Sequence, residues 1–386
     1  MVLAEIRAAL LPHVSGKRGA SGAAFAQQWR CAPLDAFFAH FPFLGGEVHH
    51  CVLVPLLAWV GGDACALRTY VALALCFFTV NSTKDMLCLP RPKGVNQSLE
   101  TTYLEEFGFP STHTAAAVVW AAALVQVLGF SAWGQLNPGA VTAVGSIYVG
   151  VVAFSRLYVG VHSLADLFGG LQFGFGVVVL ADRFLVPAME SFMADPAAGM
   201  TLPLGFTDVT LDGPLVCGLA LALFLVACYP DKRPGRTSFK DTCSMVGIAA
   251  GGTVEIGRRL VAGLALPPHI AAEGLLQSGS STGAAAGAEA VGAAAVGAVS
   301  LGSAFLLLAL AQMVGTLGAV AVEAVTGHAL GFPRAAKCVL MGWCIAWVSA
   351  GGVCHTAADE AAGWSIDCTR ATHMWSWLVL GTSSSE

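Results

Sequence analysis

The sequence predicts an all-α fold, a polytopic transmembrane helical bundle of about 8–10 spans. Three observations carry that expectation. Hydrophobic residues make up 56% of the chain and charged residues 11%, against roughly 25% charged in soluble domains. Apolar runs of the length a bilayer requires, about 20 residues, recur along most of the chain. The scarce charges gather at the ends of those runs, where an ionisable group costs least. With so few charged groups, most side chains face lipid or protein, so membrane lipids are the first expected partners. The formal net charge of -5 and the lack of any basic stripe exclude nucleic acid as a partner.

Taken in order, residues 1–32 form a basic N-terminal segment with Arg7, Lys17, Arg18 and Arg30 but no long apolar core, so no cleavable signal peptide is read there. Its opening, MVLAEIRAALLPHV, suits either a short amphipathic helix at a membrane surface or a frayed terminus. Spanning segments are expected at 39–61, 65–83, 114–133, 138–154 and 164–187, all of them in a core of residues 33–190. Two more fall at 213–229 and 243–264, in a region of further helices covering 191–268. The last two, 299–325 and 335–353, belong to a C-terminal region of helices and tail, 299–386. Glu47, His49 and His50 interrupt the first segment. If it forms two pieces, the sidedness of everything downstream reverses. Residues 269–298, rich in Ala, Gly and Ser, read as a low-complexity loop without chemistry. No internal repeat favours an inverted-repeat transporter. The 12 cysteines show no C-x-x-C pair and no zinc spacing. Cys51, Cys65, Cys76, Cys217, Cys228, Cys338 and Cys344 lie in or beside apolar runs as small hydrophobes. Cys354 and Cys368 are compatible with a disulfide.

Three polar clusters stand at helix boundaries. In KDMLCLPRP, Lys84 ends the second apolar run and Arg91 follows it, while Pro90 and Pro92 stop the helix. Two cations then project from one helix end and its turn; alone, they also suit snorkelling at a membrane boundary. In FPSTHTAAAVVW, Ser111 or Thr112 caps a helix whose free N–H groups form an anion site, with His113 beside it; alone, this cluster suits a cap with an idle histidine as well as a catalytic one. In SRLYVGVHSLADLFGG, Arg156 follows the fourth run, His162 begins the fifth, and Asp166 stands four residues on, on one helix face. A carboxylate there can fix the imidazole tautomer and leave the other nitrogen nucleophilic; the alternative is a plain helix-surface hydrogen bond.

An even number of crossings separates the 84–113 and 155–163 loops, so both lie on one side of the membrane whichever way the chain inserts. Lys84, Arg91, Ser111, His113, Arg156, His162 and Asp166 are therefore expected to meet. Three cations suit a dianionic phosphate. Two histidines suit a nucleophile and a general acid. No carboxylate cluster accompanies them for a divalent metal, so no metal and no cofactor is expected. The implied chemistry is metal-independent phosphoryl transfer through a phosphohistidine.

The clusters resemble the signature of the type 2 phosphatidic acid phosphatase superfamily: K-x6-RP, then PSxH, then SR-x5-H-x3-D. The resemblance covers residues 84–166 and implies a PAP2-like core. Thr112 stands where many members carry glycine. CLPRP, EEFGFPSTHT, SRLYVGVHSLAD and the stretch 229–252 look most like the sphingosine-1-phosphate phosphatase branch. The resemblance implies that His162 attacks phosphorus, Asp166 orients it, and His113 protonates the leaving alkoxide. It implies that Lys84, Arg91 and Arg156 hold the phosphate oxygens, helped by Ser111, Thr112 and nearby N–H groups, with Ser155 positioning Arg156. The implied substrate is a lipid phosphate, foremost a sphingoid base 1-phosphate, and the implied home is the endoplasmic reticulum membrane. Other lipid phosphates (phosphatidate, lysophosphatidate, a polyprenyl diphosphate) fit the same core. So does vanadate-dependent haloperoxidation, which the membrane helices disfavour. A transporter or channel would need its charges at mid-membrane. The positive-inside rule, counting Lys232, Arg233, Arg236 and Lys240, puts the site in the cytosol, whereas the resemblance puts it in the lumen.

Overall fold

The computed structural model describes residues 2–39, 47–99, 106–195, 199–203, 208–230 and 237–263. The 269–298 loop, the segments 299–325 and 335–353, and the Cys354–Cys368 pair lie outside the described residues.

The described chain is helical except for one hairpin. Helices α1 (Val2–Val14), α2 (Gly16–Ala26) and α3 (Ala32–Ala39) precede α4 (Glu47–Leu87). Then come α5 (Thr112–Phe130), the short α6 (Ala132–Leu136), α7 (Pro138–Tyr158) and α8 (Leu164–Leu180). A π turn, Ala181–Leu185, leads into α9 (Val186–Ala194). Strands β1 (Met200–Pro203) and β2 (Asp208–Leu211) pair antiparallel, with Met200 opposite Leu211. Helices α10 (Gly213–Cys228) and α11 (Thr237–Val261) follow. Four helices are long and apolar enough to cross a membrane: Gly62–Leu87, Thr112–Phe130, Pro138–Tyr158 and Leu164–Ala194. This is an integral membrane protein. The expected count of 8–10 spans includes segments beyond the described residues.

Helix α4 is the axis of the bundle. Gly62, at φ 75° and ψ 171°, breaks it into two pieces, so the interruption expected near residue 61 is a glycine in the left-handed half of φ space. Beyond Gly62 the helix is buried nearly all round, with Leu67, Tyr70, Leu73 and Cys76 in the core. A helix apolar on every face belongs inside a bundle. Cys88, at φ 49°, then Pro90 and Pro92 end it.

Small residues let the neighbours close in. On α8, a Cβ at Gly170 would sit 2.6 Å from the Ser111 carbonyl oxygen, and one at Gly174 would sit 2.7 Å from Val118 Cβ. Helix α8 therefore rides directly on α5, the close approach that drives helix association in lipid. Helix α11 packs on α4 in the same way, with Gly252 against the Tyr70 ring.

One end of the bundle gathers the end of α4, the start of α5, the α7–α8 turn, Tyr229 and the start of α11. The N-terminal helices form a collar there. Val14 packs with Leu87, Leu89 and Phe109, and Arg7 Nε donates to the Leu87 carbonyl at 2.9 Å. Gln27 donates to the carbonyls of Asn96 and Tyr158, and Phe38 packs on Tyr158 at 4.7 Å between centroids. The opening segment is thus a helix docked on protein, with Val2, Leu3 and Ile6 still exposed. The opposite end holds Gly62, the α6 turn, the hairpin, and the Arg259–Asp63 and Arg258–Asp212 ion pairs at 2.7 and 2.6 Å.

Candidate active site

The site is assembled where helices stop. Lys84 lies in the last turn of α4, Arg156 in the last turn of α7, and both are buried. Ser111 is the N-cap of α5 and accepts from the Thr114 amide at 3.4 Å. Its own amide donates to the Asp166 carbonyl at 3.0 Å, which ties the start of α5 to the start of α8. Gly108 lies between these parts, since a Cβ there would sit 3.3 Å from both Arg91 Cα and Asp166 Oδ2.

His162 is placed differently from the sequence expectation. It does not begin α8; the helix starts at Leu164, with Ser163 as N-cap. His162 and Asp166 are therefore not neighbours on a helix face. A capping box brings them together: the Asp166 amide donates to Ser163 Oγ at 3.1 Å, and the Ser163 amide donates to Asp166 Oδ2 at 2.6 Å. That fold-back puts Asp166 Oδ2 3.5 Å from His162 Nδ1. On the other edge of the ring, Arg91 Nη1 lies 3.2 Å from His162 Nε2. A guanidinium only donates, so Nε2 presents its lone pair and the ring proton sits on Nδ1, facing Asp166. Burial above all, then the charges of Arg91, Lys84, His113 and Arg156, hold the His162 pKa well below the ordinary 6.5. The imidazole is neutral at neutral pH.

Each remaining cation is braced. Arg91 Nε donates to the Glu106 carbonyl at 3.1 Å and Nη1 to the Val161 carbonyl at 2.9 Å. Arg156 Nε donates to Ser155 Oγ at 3.1 Å, and Ser155 donates to the Val152 carbonyl at 2.6 Å. His113, half-buried in the first turn of α5, is near enough for its charge to act on His162. Thr112 is placed otherwise than expected. Its hydroxyl donates to Asn81 Oδ1 at 3.0 Å, leaving only its backbone N–H for an anion. Asn81 in turn donates to the Ser238 carbonyl and to Thr242 Oγ1, each at 3.1 Å, so Thr112 joins α5 to α4 and α11.

Sequence reasoning missed Glu106. Its carboxylate lies 3.7 Å from Lys84 Nζ and 3.6 Å from Arg91 Nη2, and it accepts a hydrogen bond from the Thr237 hydroxyl at the start of α11. Reading also missed Asp85, which accepts from the Tyr229 hydroxyl at 2.6 Å. The available signal was scarcity: an acid close to two cations in a chain this poor in charge. Among the described residues, no group of three or more His, Cys, Asp or Glu side chains is arranged to hold a metal ion.

Buried cations, a buried imidazole with a carboxylate 3.5 Å from one nitrogen, and a second histidine at a helix N-terminus have the composition that phosphate chemistry requires. Residues 65–189 match the model of the PAP2 superfamily. The chain carries a PAP2 superfamily domain. That PAP2 domain runs from Cys65 in α4 to Met189 in α9 and contains every residue singled out above except Asp85's and Asn81's partners on Tyr229 and α11, and Thr237. The chain is 30% identical over 153 residues to lipid phosphate phosphatase delta of Arabidopsis thaliana, covering 36% of each chain. It is 26% identical over 244 residues to sphingosine-1-phosphate phosphatase 2 of Homo sapiens, covering 62% of this chain and 56% of that one. It is 27% identical over 228 residues to a dihydrosphingosine 1-phosphate phosphatase of Saccharomyces cerevisiae, covering 56% of this chain and 51% of that one. The matched region spans from 36% to 56% of the length of these relatives. No solved structure matches the chain.

Proposed function

We propose that the PAP2 domain makes this protein a lipid phosphate phosphatase of the endoplasmic reticulum membrane that hydrolyses sphingoid base 1-phosphates through a phosphohistidine, without a metal ion. The observation that carries the reading is the neutral, buried His162, with Nε2 aimed at Arg91 and Nδ1 at Asp166. The names of two of the relatives supply the sphingoid substrates; the resemblance supplies the membrane.

In this reading the phosphate lies among Lys84, Arg91 and Arg156, with the free N–H groups at the start of α5 on its oxygens. Arg91 Nη1 turns from Nε2 to a phosphate oxygen, and the freed Nε2 lone pair attacks phosphorus, forming the N–P bond as the ester P–O bond breaks. The leaving alkoxide takes a proton from His113. Asp166 steadies the positive ring. Water then attacks phosphorus, gives its proton to the now neutral His113, and releases phosphate and free His162. The equatorial oxygens keep the same cationic cradle through both steps.

The test is phosphate release by purified protein from sphingosine 1-phosphate, dihydrosphingosine 1-phosphate, lysophosphatidate and phosphatidate, with and without chelator. We expect the sphingoid phosphates to be fastest, EDTA to change nothing and vanadate to inhibit. A strict magnesium requirement overturns the mechanism. Faster turnover of phosphatidate overturns the substrate and leaves the phosphatase.

A further inference from the structure

Glu106 is a feature that a plain phosphate site would be better without. Its side chain is 10% exposed and lies beside Lys84 and Arg91, two of the cations meant for the phosphate. A carboxylate there lowers the positive potential of the cradle and repels a dianion. Yet it is firmly held. Arg91 Nε grips its backbone carbonyl, Thr237 donates to Oε1, and Oε2 faces both cations. The main-chain tie and the Thr237 hydroxyl fix the residue with its Oε2 toward the cations.

When a phosphate dianion arrives, Lys84 and Arg91 turn their charge to it. Glu106 is then a buried carboxylate next to a dianion, an arrangement that is costly unless a new cation comes with the substrate. A vicinal amino phosphate brings one. Its ammonium sits on the carbon next to the one bearing the phosphate ester, so it cannot lie far from the cradle once the phosphate is seated. Phosphatidate and lysophosphatidate carry no such charge.

We propose that Glu106 is a specificity-determining residue that receives the ammonium of a vicinal amino phosphate while Lys84, Arg91 and Arg156 take its phosphate. Before substrate binds, the same carboxylate serves as counter-ion to the cradle. Thr237, at the head of α11, keeps it turned toward the site. This rests on the reading of the site as a lipid phosphate phosphatase and sharpens its substrate class.

The experiment compares dihydrosphingosine 1-phosphate with its N-acetyl derivative, which keeps chain and phosphate but has no ammonium. Both are assayed with wild-type protein and with Glu106→Gln, which keeps the size and the acceptor for Thr237. A charge-assisted hydrogen bond lost from a buried site corresponds to roughly 10- to 100-fold. The ratio of kcat/KM for the amine over the N-acetyl substrate should fall by about that factor in the variant. The N-acetyl rate should change less than the amine rate, because that substrate has no ammonium for the carboxylate to receive. An equal fall on both substrates would show that Glu106 only positions Lys84 and Arg91, and overturns the proposal. No change on either substrate also overturns it. If Glu106→Gln does not fold, wild-type protein alone decides: equal kcat/KM on the two substrates overturns the proposal, and a tenfold or larger preference for the amine upholds it. Preference of wild-type protein for phosphatidate would fell the sphingoid reading separately, because the role of Glu106 is judged on the shift in ratio.

Discussion

His162 is kept neutral by burial and by four cationic neighbours, and a neutral imidazole is what a nucleophile requires. The sign follows from the depressed pKa. Protonation should begin to silence the ring only well below pH 6.5, so activity is retained above that point and lost as pH falls through the lowered value. A histidine-selective NMR titration in detergent should show one ring, absent in His162→Ala, titrating below the ordinary range. Kinetics should separate the two histidines. In the proposed mechanism His162→Ala removes the nucleophile and should form no phosphoenzyme, whereas His113→Ala removes the proton donor and should slow alkoxide release by roughly 100- to 10,000-fold. An aryl phosphate that enters the site has a leaving group needing little proton help, so it should partly restore His113→Ala and leave His162→Ala dead. Asp166→Asn should fall between, since the ring stays but loses its orienting charge. Identical behaviour of the two histidine variants on both substrates would remove the division of roles.

At the scale of elements, the site depends on how closely α8 sits on α5. A Cβ at Gly170 meets the Ser111 carbonyl oxygen at 2.6 Å and Thr114 Cβ at 3.0 Å, backbone and branched side chain that cannot swing aside. Gly176 on the same helix has nothing within 4 Å. Gly170→Ala should therefore cost about 1–3 kcal/mol of stability through overpacking. It should also pull the Ser111 amide from the Asp166 carbonyl and lower turnover. Gly176→Ala should be neutral or slightly stabilising, as alanine usually is in a helix. Thermal unfolding and phosphate release of the pair would check this; equal effects would mean that the contact is not what holds the helices. The helices themselves were legible in the sequence, because a bilayer sets their length and the prolines after Lys84 and the serine at 111 mark two of their ends; the cap at Ser163 was not read, and His162 was placed at the start of α8 for that reason. Lys84, Arg91 and the two histidines were legible for a related reason: charge at the end of an apolar run needs a cause. Glu106 was not, because its meaning depends on Lys84, Arg91 and Thr237, which only the fold brings to it. The tie of the Thr112 hydroxyl to Asn81 was hidden as well, because only the fold brings Asn81 its partners Ser238 and Thr242 on α11. The docking of α1–α3 was equally hidden, since the bonds from Arg7 and Gln27 to distant carbonyls carry no periodic signal.

For the whole molecule, the decisive feature is polarity along the bundle. Ile147, Phe175, Phe184, Leu223 and Phe224, each more than 60% exposed, form an apolar outer surface suited to lipid. Every cation of the cradle lies at one end, joined there by the N-terminal helices that carry Arg7, Lys17, Arg18 and Arg30. At the other end Arg258 and Arg259 are each matched by an aspartate, which blunts their weight as topology signals. Loop charge alone would then place the cradle end in the cytosol, but the cradle cations are held by the site and the collar is held by protein, so neither is a free loop of the kind the rule counts. Connectivity gives a firmer statement. Helix α5 leaves the cradle end at Ser111 and α7 returns to it at Tyr158, so the turn between them, with Leu136 82% exposed, must reach the opposite face. A protease-cleavable tag at residue 1 and another inserted after Leu136 should therefore lie on opposite sides of sealed microsomes. One should be cut without detergent and the other only after permeabilisation. A tag at residue 1 shares its face with the site, so the same experiment reports which compartment supplies the phosphate headgroup and receives the product. Cleavage of both tags from one side would mean that α5 and α7 do not form a membrane-crossing pair, and the shared face of the three clusters, on which the site depends, would go with it.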